Sequence, residues 1–113
     1  MPDSISDLYE GAFGWCNGLS EVVMGDNIRV IPFKLFEYDS DLKKIQLPAD
    51  LREIHDLAFE GCTSLSEICV PNSVEYIGKM AFGSTVNKAI RLITKNKYVI
   101  EYARVNNINY ETL

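Results

Sequence analysis

Residues 47–82 read LPADLREIHDLAFEGCTSLSEICVPNSVEYIGKMAF, and this stretch decides the fold. Its Leu-Pro pair at 47–48 returns as Val-Pro at 70–71, and its Ala-Phe pair at 58–59 returns at 81–82, in both cases 23 residues later. Columns of like residues keep this spacing through most of the chain: Phe13, Phe36, Phe59 and Phe82; Leu8, Ile31, Ile54 and Ile77; Ile5, Ile28, Leu51 and Val74; Val22, Ile45 and Ile68. The chain is therefore a tandem repeat.

Each repeat predicts a strand, a turn, a second extended segment and a helical turn. Residues 68–70 alternate between two faces, which is the period of a strand, and Pro71 ends that strand because it has no N–H to donate. Residues 72–77 supply turn chemistry and begin the second extended segment, and residues 78–82 suit a short helical turn with Ala and Phe packed inward. One repeat cannot bury its own apolar face, so neighbouring repeats stack around a continuous core.

The quoted segment resembles the BspA-type leucine-rich repeat, with its rhythm LxxIxxPxxVxxIgxxAFxxC, and the resemblance covers residues 1 to about 85. It implies a right-handed solenoid with one parallel strand per repeat and short strands or helical turns opposite. It also implies bacterial or protist proteins, at the cell surface or secreted, that act in adhesion and protein recognition and share no catalytic residues. We therefore expect a β-rich α+β solenoid of about four 23-residue repeats over residues 1–93.

Residues 94–113 predict a C-terminal cap on this solenoid. The repeat register fails after Ser84, and residues 90–93 predict one last strand in an altered register. A helix over about 97–106 begins after an Asn N-cap, and a short strand over 108–110 follows it. The ending also resembles the C-terminus common in BspA-type proteins, and solenoids need such caps for solubility.

The N-terminus is expected to be an uncapped end of the solenoid. The chain opens at the proline column, at Pro2, so the sequence predicts a sticky end that favours self-association. The first residues also lack the basic start and apolar stretch of a secretory signal. No apolar run approaches the roughly 20 residues that a transmembrane helix needs.

Composition and charge narrow the function further. The chain has 113 residues, 47% of them hydrophobic, and a net charge of −5, which excludes wholesale disorder and argues against nucleic acid as a partner. The charge is uneven, because residues 1–78 carry 5 basic and 14 acidic side chains and residues 79–113 carry 6 basic and 2 acidic ones. An acidic body with a basic end favours end-to-end contact over a two-fold dimer.

Catalytic and metal-binding patterns are not found in the sequence. His55 is the only histidine and is expected at the surface, so no nucleophile has the partners of a catalytic triad. The motifs GxGxxG, GxxxxGK and HExxH do not occur. The dense carboxylates are expected in solvated loops: Asp39, Asp41, Asp50, Glu53, Asp56 and Glu60. We therefore expect neither enzyme activity nor a cofactor or metal.

The three cysteines are expected to be free thiols. Cys16 and Cys62 share a column two repeats apart, so their Cα atoms are expected roughly 10 Å apart, which is too far for a disulfide. Both suit a small, buried position. Cys69 falls on the exposed side of its strand and cannot join them in one zinc site.

The outward side of the parallel strands is the first candidate surface for a partner. It carries two columns of residues: Glu21, Lys44 and Glu67; Val23, Gln46 and Cys69. Solenoids commonly use this extended face for recognition. The alternative is a charge ladder that only stabilises neighbouring strands.

The second candidate surface is aromatic. Trp15 and Tyr38 share a column on successive repeats, and Tyr9 and Phe33 lie near them in the pattern. Clustered exposed aromatics are typical of protein contacts. The alternative is that Trp15 and Tyr9 shield the open N-terminal end of the core.

The sequence thus predicts a non-enzymatic protein-interaction or adhesion module with a protein partner. The alternative is a structural C-terminal fragment of a longer cell-surface protein whose binding function lies upstream.

Overall fold

The computed structural model describes residues 3–5, 14, 18–83 and 90–112, with the backbone alone at 3–5. Within these ranges the chain forms short strands and a single helix, in this order: β1 (Asp3–Ile5), β2 (Glu21–Met24), β3 (Val30–Ile31), β4 (Lys44–Gln46), β5 (Glu53–Ile54), β6 (Glu67–Cys69), β7 (Tyr76–Ile77), β8 (Arg91–Ile93), α1 (Lys97–Val105) and β9 (Asn109–Glu111). The three repeats between residues 21 and 77 therefore each contribute a second short strand besides the expected one.

The strands pair in parallel and form two walls of a solenoid. The sheets β1-β2-β4 and β6-β8-β9 are joined side by side through contacts between β4 and β6, and together they make the first wall. The sheet β3-β5-β7 makes the second wall. The chain passes from one wall to the other within each repeat, as the stacking of such units requires.

The pairing register follows the sequence period through the middle of the chain. The offset equals the period between β2 and β4, where Glu21 pairs with Lys44, and also between the strands of the second wall. The offset exceeds the period by one position between β6 and β8, where Glu67 pairs with Arg91. This is the altered register predicted for the last strand of the repeat region.

The register of β1 differs from the prediction. The sequence columns align Ile5 with Ile28, but the structure pairs Ile5 with Met24, so the offset is shorter than the period. Without β1, the outer edge of β2 would leave N–H and C=O groups without strand partners, and the extended residues 3–5 satisfy them. Assigning Ile5 to the column that follows the proline was therefore wrong.

A stack of phenylalanine rings runs through the core. The ring centroids of Phe36 and Phe59 are 5.5 Å apart with planes 16° from parallel, and those of Phe59 and Phe82 are 5.5 Å apart at 13°. Backbone N–H groups of Phe36 and Phe59 donate to the carbonyls of Ala58 and Ala81 at 2.8 and 2.9 Å. The aromatic turns of successive repeats are therefore joined by hydrogen bonds as well as by packing. Phe13 lies outside the described residues.

The remaining columns predicted from the period also lie in the core. Buried members come from every repeat that the structure describes: Val22, Met24, Ile28, Ile31, Leu35, Leu42, Leu47, Leu51, Ile54, Ala58, Leu65, Ile68, Val70, Val74, Ile77 and Ala81. Burial of apolar side chains at about 25 cal/mol per Å² is the main stabilising contribution to such a stack.

Asp39 is buried, with 1% of its surface exposed, so its prediction as a solvated loop residue was wrong. It occupies the repeat column of Cys62, which is also buried. The turn that holds Asp39 is fixed by its backbone, since its N–H donates to Phe36 and its carbonyl accepts from Leu42. The side chain at this repeat position is therefore buried whether it is Asp39 or Cys62. Of the other predicted loop carboxylates, two are exposed and three are half-buried: Asp41 and Asp50; Glu53, Asp56 and Glu60.

Asn96 links α1 to the preceding repeat through hydrogen bonds. Its side-chain oxygen accepts the N–H of Tyr98 at 2.9 Å, which caps the helix, and its amide donates to the carbonyls of Asn72 and Val74 at 3.1 and 2.8 Å. The helix occupies Lys97–Val105, where the sequence predicted about 97–106, and buries Val99 and Ala103. No helix in the described part of the chain is long and apolar enough to cross a membrane.

Two tyrosines of α1 satisfy the outer edge of the second wall. The Tyr98 hydroxyl accepts the N–H of Ile77 at 2.9 Å, and the Tyr102 hydroxyl donates to the carbonyl of Gly78 at 2.9 Å. The Tyr102 ring lies 6.4 Å from Phe82, so it ends the aromatic stack. These hydroxyl groups form hydrogen bonds with backbone groups that a further repeat would otherwise bond.

Replacement of the central ring of the stack should be strongly destabilising. Phe59→Ala is expected to lower the free energy of unfolding by about 3–5 kcal/mol, because it removes ring contacts on both sides and leaves a cavity. The control is Phe33→Ala, because Phe33 is 37% exposed whereas Phe59 is 2% exposed. Urea unfolding followed by circular dichroism measures both, and equal losses would contradict the importance of the stack.

Removal of the Asn96 side chain should loosen the C-terminal segment. Asn96→Ala is expected to cost about 1–3 kcal/mol, because it deletes a helix cap and leaves two carbonyls without their donor. The matched control is Asn72→Ala, which keeps the accepting backbone carbonyl and removes only an exposed side chain. Hydrogen exchange of the α1 amides would rise in the first variant alone. Unchanged protection there would show that Asn96 does not hold the helix.

Candidate functional site on the first wall

The outward side of the first wall forms an open groove of about 710 Å³. Its lining comes from β2, β4, β6 and the residues just before these strands. It includes all six strand-face residues that the sequence singled out: Glu21, Val23, Lys44, Gln46, Glu67 and Cys69. Glu21 and Val23 stand directly opposite Lys44 and Gln46 in the strand register, which brings the two predicted columns into one surface.

The groove lies where the first wall is interrupted. β4 and β6 contact one another, but they belong to different hydrogen-bonded sheets. Ile45 of β4 is only half-buried, whereas Val22 and Ile68 of the same column are buried. At this interruption part of an apolar side chain is exposed, which adds apolar surface to the groove beside its charged column.

In the charged column of Glu21, Lys44 and Glu67, the ion pair that the described residues show is at Glu67. The Arg91 guanidinium lies 2.7 Å from a Glu67 oxygen and 3.9 Å from a Glu111 oxygen. The hydrogen bond to Glu67 raises the pKa of Arg91 above its ordinary value, and the charge of Glu111 adds to this. Among the described residues, neither Glu21 nor Lys44 forms an ion pair within 4.0 Å. A purely stabilising charge ladder therefore accounts for only part of the column.

The two described cysteines lie in opposite environments. Cys69 is exposed, lines the groove, and also borders a second cavity of about 330 Å³ beside Val70 and Ile93. Cys62 is buried and its thiol donates to the carbonyl of Phe36 at 3.2 Å. Burial, together with the negative charge of Asp39, raises the pKa of Cys62 to about 12. Cys16 lies outside the described residues.

The aromatic surface predicted at the N-terminal end is described only in part. Trp15 and Tyr9 lie outside the described residues. Tyr38 is exposed, has a positive φ of 58°, and donates its N–H to Glu60 at 2.6 Å. Its ring packs on Gly61, where a Cβ atom would collide with the ring, so glycine is required there. Phe33 is exposed under the ammonium of its neighbour Lys34, which lies 5.1 Å from the ring centroid.

His55 directly follows β5 on the second wall. Its Nε2 atom is 2.7 Å from a Glu53 oxygen, and its ring meets that of Tyr76 edge-on at 6.0 Å. Within the described ranges, no three histidine, cysteine or acidic side chains are grouped so that they could hold a metal ion.

Comparison with known protein families agrees with the architecture. The sequence model for the BspA type leucine rich repeat region matches residues 1–111 in six copies. The chain belongs to the BspA-type leucine-rich repeat family. The match confirms the resemblance read from residues 47–82 and extends it from about residue 85 to residue 111. No curated protein and no solved structure matches the chain.

Membership of the BspA-type family bears on the kind of activity to expect. Leucine-rich repeat domains generally mediate protein interactions, and their families are typically not enzymes. The groove on the first wall is consistent with this, because it combines apolar and charged groups and has no catalytic constellation among its described residues.

Sequence reasoning missed several residues that line the groove of this BspA-type domain. Lys43, Ser64 and Ser66 contribute to its rim, and Ile45 contributes to its centre. The three rim residues precede the strands, so alternation within the strands gave no signal for them. A signal for Lys43 and Ser66 does exist, since both occupy the column just before the charged one.

The two described thiols should differ sharply in reactivity. In a Cys16→Ser background at pH 8, a thiol-reactive disulfide reagent is expected to modify Cys69 rapidly and Cys62 only slowly. Cys62 should stay slow as the pH is raised to 10, because its pKa is about 12 in the folded chain. Mass spectrometry of digested protein measures each site. Comparable labelling of both cysteines in the folded chain would contradict the burial of Cys62.

Proposed function

We propose that the chain is a non-enzymatic module that binds a partner protein through the groove on the first wall. The observation that carries the proposal is that one continuous groove gathers both predicted columns of the strand face. Adhesion is the setting that the family resemblance favours. The partner contacts side chains on both sides of the junction between β4 and β6, where each strand is held by parallel pairing within its own sheet.

The composition of the groove suits a short segment of a protein. Val23 and the exposed part of Ile45 supply an apolar centre, and Glu21 and Lys44 supply charges without a described counter-ion. Apolar centres with polar rims are typical of protein interfaces. The groove volume of about 710 Å³ falls within the range of about 300–1,000 Å³ common for binding pockets, which favours a few partner side chains over a broad flat contact.

We also propose that residues 94–113 cap a solenoid of about four 23-residue repeats over residues 1–93. The support is the replacement of repeat contacts by side chains of α1. Tyr98 and Tyr102 bond the edge of β7, and Asn96 bonds the turn before it. Solenoids need such an end, because an unpaired repeat exposes both an apolar face and backbone groups.

Charge reversal in the groove tests the binding proposal. A random peptide library displayed on phage is first selected against the full chain, and each selected peptide is then titrated by fluorescence anisotropy. The double variant Glu21→Lys, Glu67→Lys should weaken binding by about tenfold or more, because it reverses two charges at the contact. Retained affinity in this variant would exclude the groove as the site.

The matched control is Glu101→Lys on α1. Glu101 forms an exposed ion pair with Arg104 at 2.7 Å, which is the length of the pair between Glu67 and Arg91. Loss of that pair should leave peptide binding unchanged. Equal weakening by the control would assign the effect to net charge and overturn the proposal.

A further inference from the structure

The second wall carries a row of side chains that the proposed function does not use. Glu53 on β5 and Tyr76 on β7 are register partners, and Tyr98 of α1 follows beyond the edge of β7, where its hydroxyl accepts the N–H of Ile77. The row therefore runs from a carboxylate to two aromatic rings. Ile77 is buried while Tyr76 is exposed, so the Tyr76 ring lies on the outer side of the wall.

Both rings of this row are exposed although they are held in place. Tyr76 is 48% exposed and Tyr98 is 41% exposed. The His55 ring supports Tyr76 edge-on at 6.0 Å, and Glu53 in turn holds His55 at 2.7 Å. The Tyr98 ring is fixed through its hydroxyl. Rigid tyrosines lose little conformational freedom on binding, which makes them effective contact residues.

Carboxylates and cations both lie near the two rings. Glu53 is the register partner of Tyr76, whereas Glu75 is paired with Arg52 at 2.8 Å. Exposed cations lie in the neighbouring turn and directly before Tyr98: Lys79 and Lys97. Glu53 is therefore the carboxylate that the strand pairing places next to Tyr76.

The environment of Phe33 differs from that of Tyr76 and Tyr98 by a neighbouring cation. The exposed ring of Phe33 has a cation above it, the ammonium of Lys34 at 5.1 Å. Within the part of the chain that the structure describes, no cation lies over the ring of Tyr76 or Tyr98. An aromatic face attracts a cation within about 6 Å of its centroid, and a nearby carboxylate strengthens the attraction.

We infer that the surface formed by Glu53, Tyr76 and Tyr98 binds an arginine or lysine side chain of a partner protein. The cation lies over the Tyr76 ring, and the Glu53 carboxylate supplies the opposite charge. An acidic segment would be repelled here, and a purely apolar one would cover Glu53 without pairing its charge. This site is separate from the groove on the first wall, so an experiment that contradicts one proposal leaves the other standing.

The probe is a blocked Gly-Arg-Gly-Arg-Gly peptide titrated into the ¹⁵N-labelled full chain. Saturable amide shifts are expected at residues 53–56, at Tyr76 and at Tyr98. Tyr76→Leu should weaken binding about two- to fivefold, the cost of an exposed cation–π contact, whereas Tyr76→Phe should retain it. Glu53→Gln should also weaken binding, and added salt should do the same.

Tyr110→Leu is the matched control, since Tyr110 is 41% exposed on β9 of the other wall. It should leave the titration unchanged, as should the double variant Glu21→Lys, Glu67→Lys. The inference is overturned if the corresponding Gly-Glu-Gly-Glu-Gly peptide binds equally well. It is also overturned if Tyr76→Leu, shown to be folded by circular dichroism, binds like the parent chain, or if the shifts map to β2 and β4.

Discussion

The structure depends on one constraint, which is that no repeat can bury its own apolar face. Successive units must therefore stack in register, and the rings of Phe36, Phe59 and Phe82 show the register at 5.5 Å steps. Hydrogen bonds between the aromatic turns follow nearly the same offset as the strand pairs. Because the strand pairs in the middle of the chain keep this offset, side chains one period apart in the sequence become neighbours there. The groove on the first wall is a product of that rule.

Most of the core could be predicted from the sequence because it depends on the repeat alone. Once Ile54 and Ile77 are recognised as equivalent positions, the burial of one predicts the burial of the other. The same argument placed Glu21 beside Lys44 and located the strand face. It also explains the helix after Asn96, where the breakdown of the period coincides with a helix signal that needs only local sequence.

The features that escaped prediction depend on contacts without a counterpart in other repeats. Asp39 is an exception, because the buried column that it shares with Cys62 indicated burial while its carboxylate suggested solvent. The shifted pairing of β1 satisfies the backbone groups at one edge of β2. The row of Glu53, Tyr76 and Tyr98 extends from the repeats to the C-terminal helix. Tyr98 lies outside the repeat columns, so the period gives no signal for its position beside β7. The separation of β4 and β6 into different sheets has no signal in the repeat columns, which continue through both strands.

That interruption affects the mechanics of the solenoid. At the junction between the β4 and β6 repeats, β5 and β7 remain hydrogen-bonded across the second wall, and Phe59 remains bonded to Ala81. On the groove side, no strand pairing joins β4 to β6 in the part of the chain that the structure describes. Bending about this junction therefore stretches no strand hydrogen bond on the groove side, while the opposite side serves as the axis. The width of the groove between β4 and β6 is therefore set by side-chain packing and not by strand hydrogen bonds.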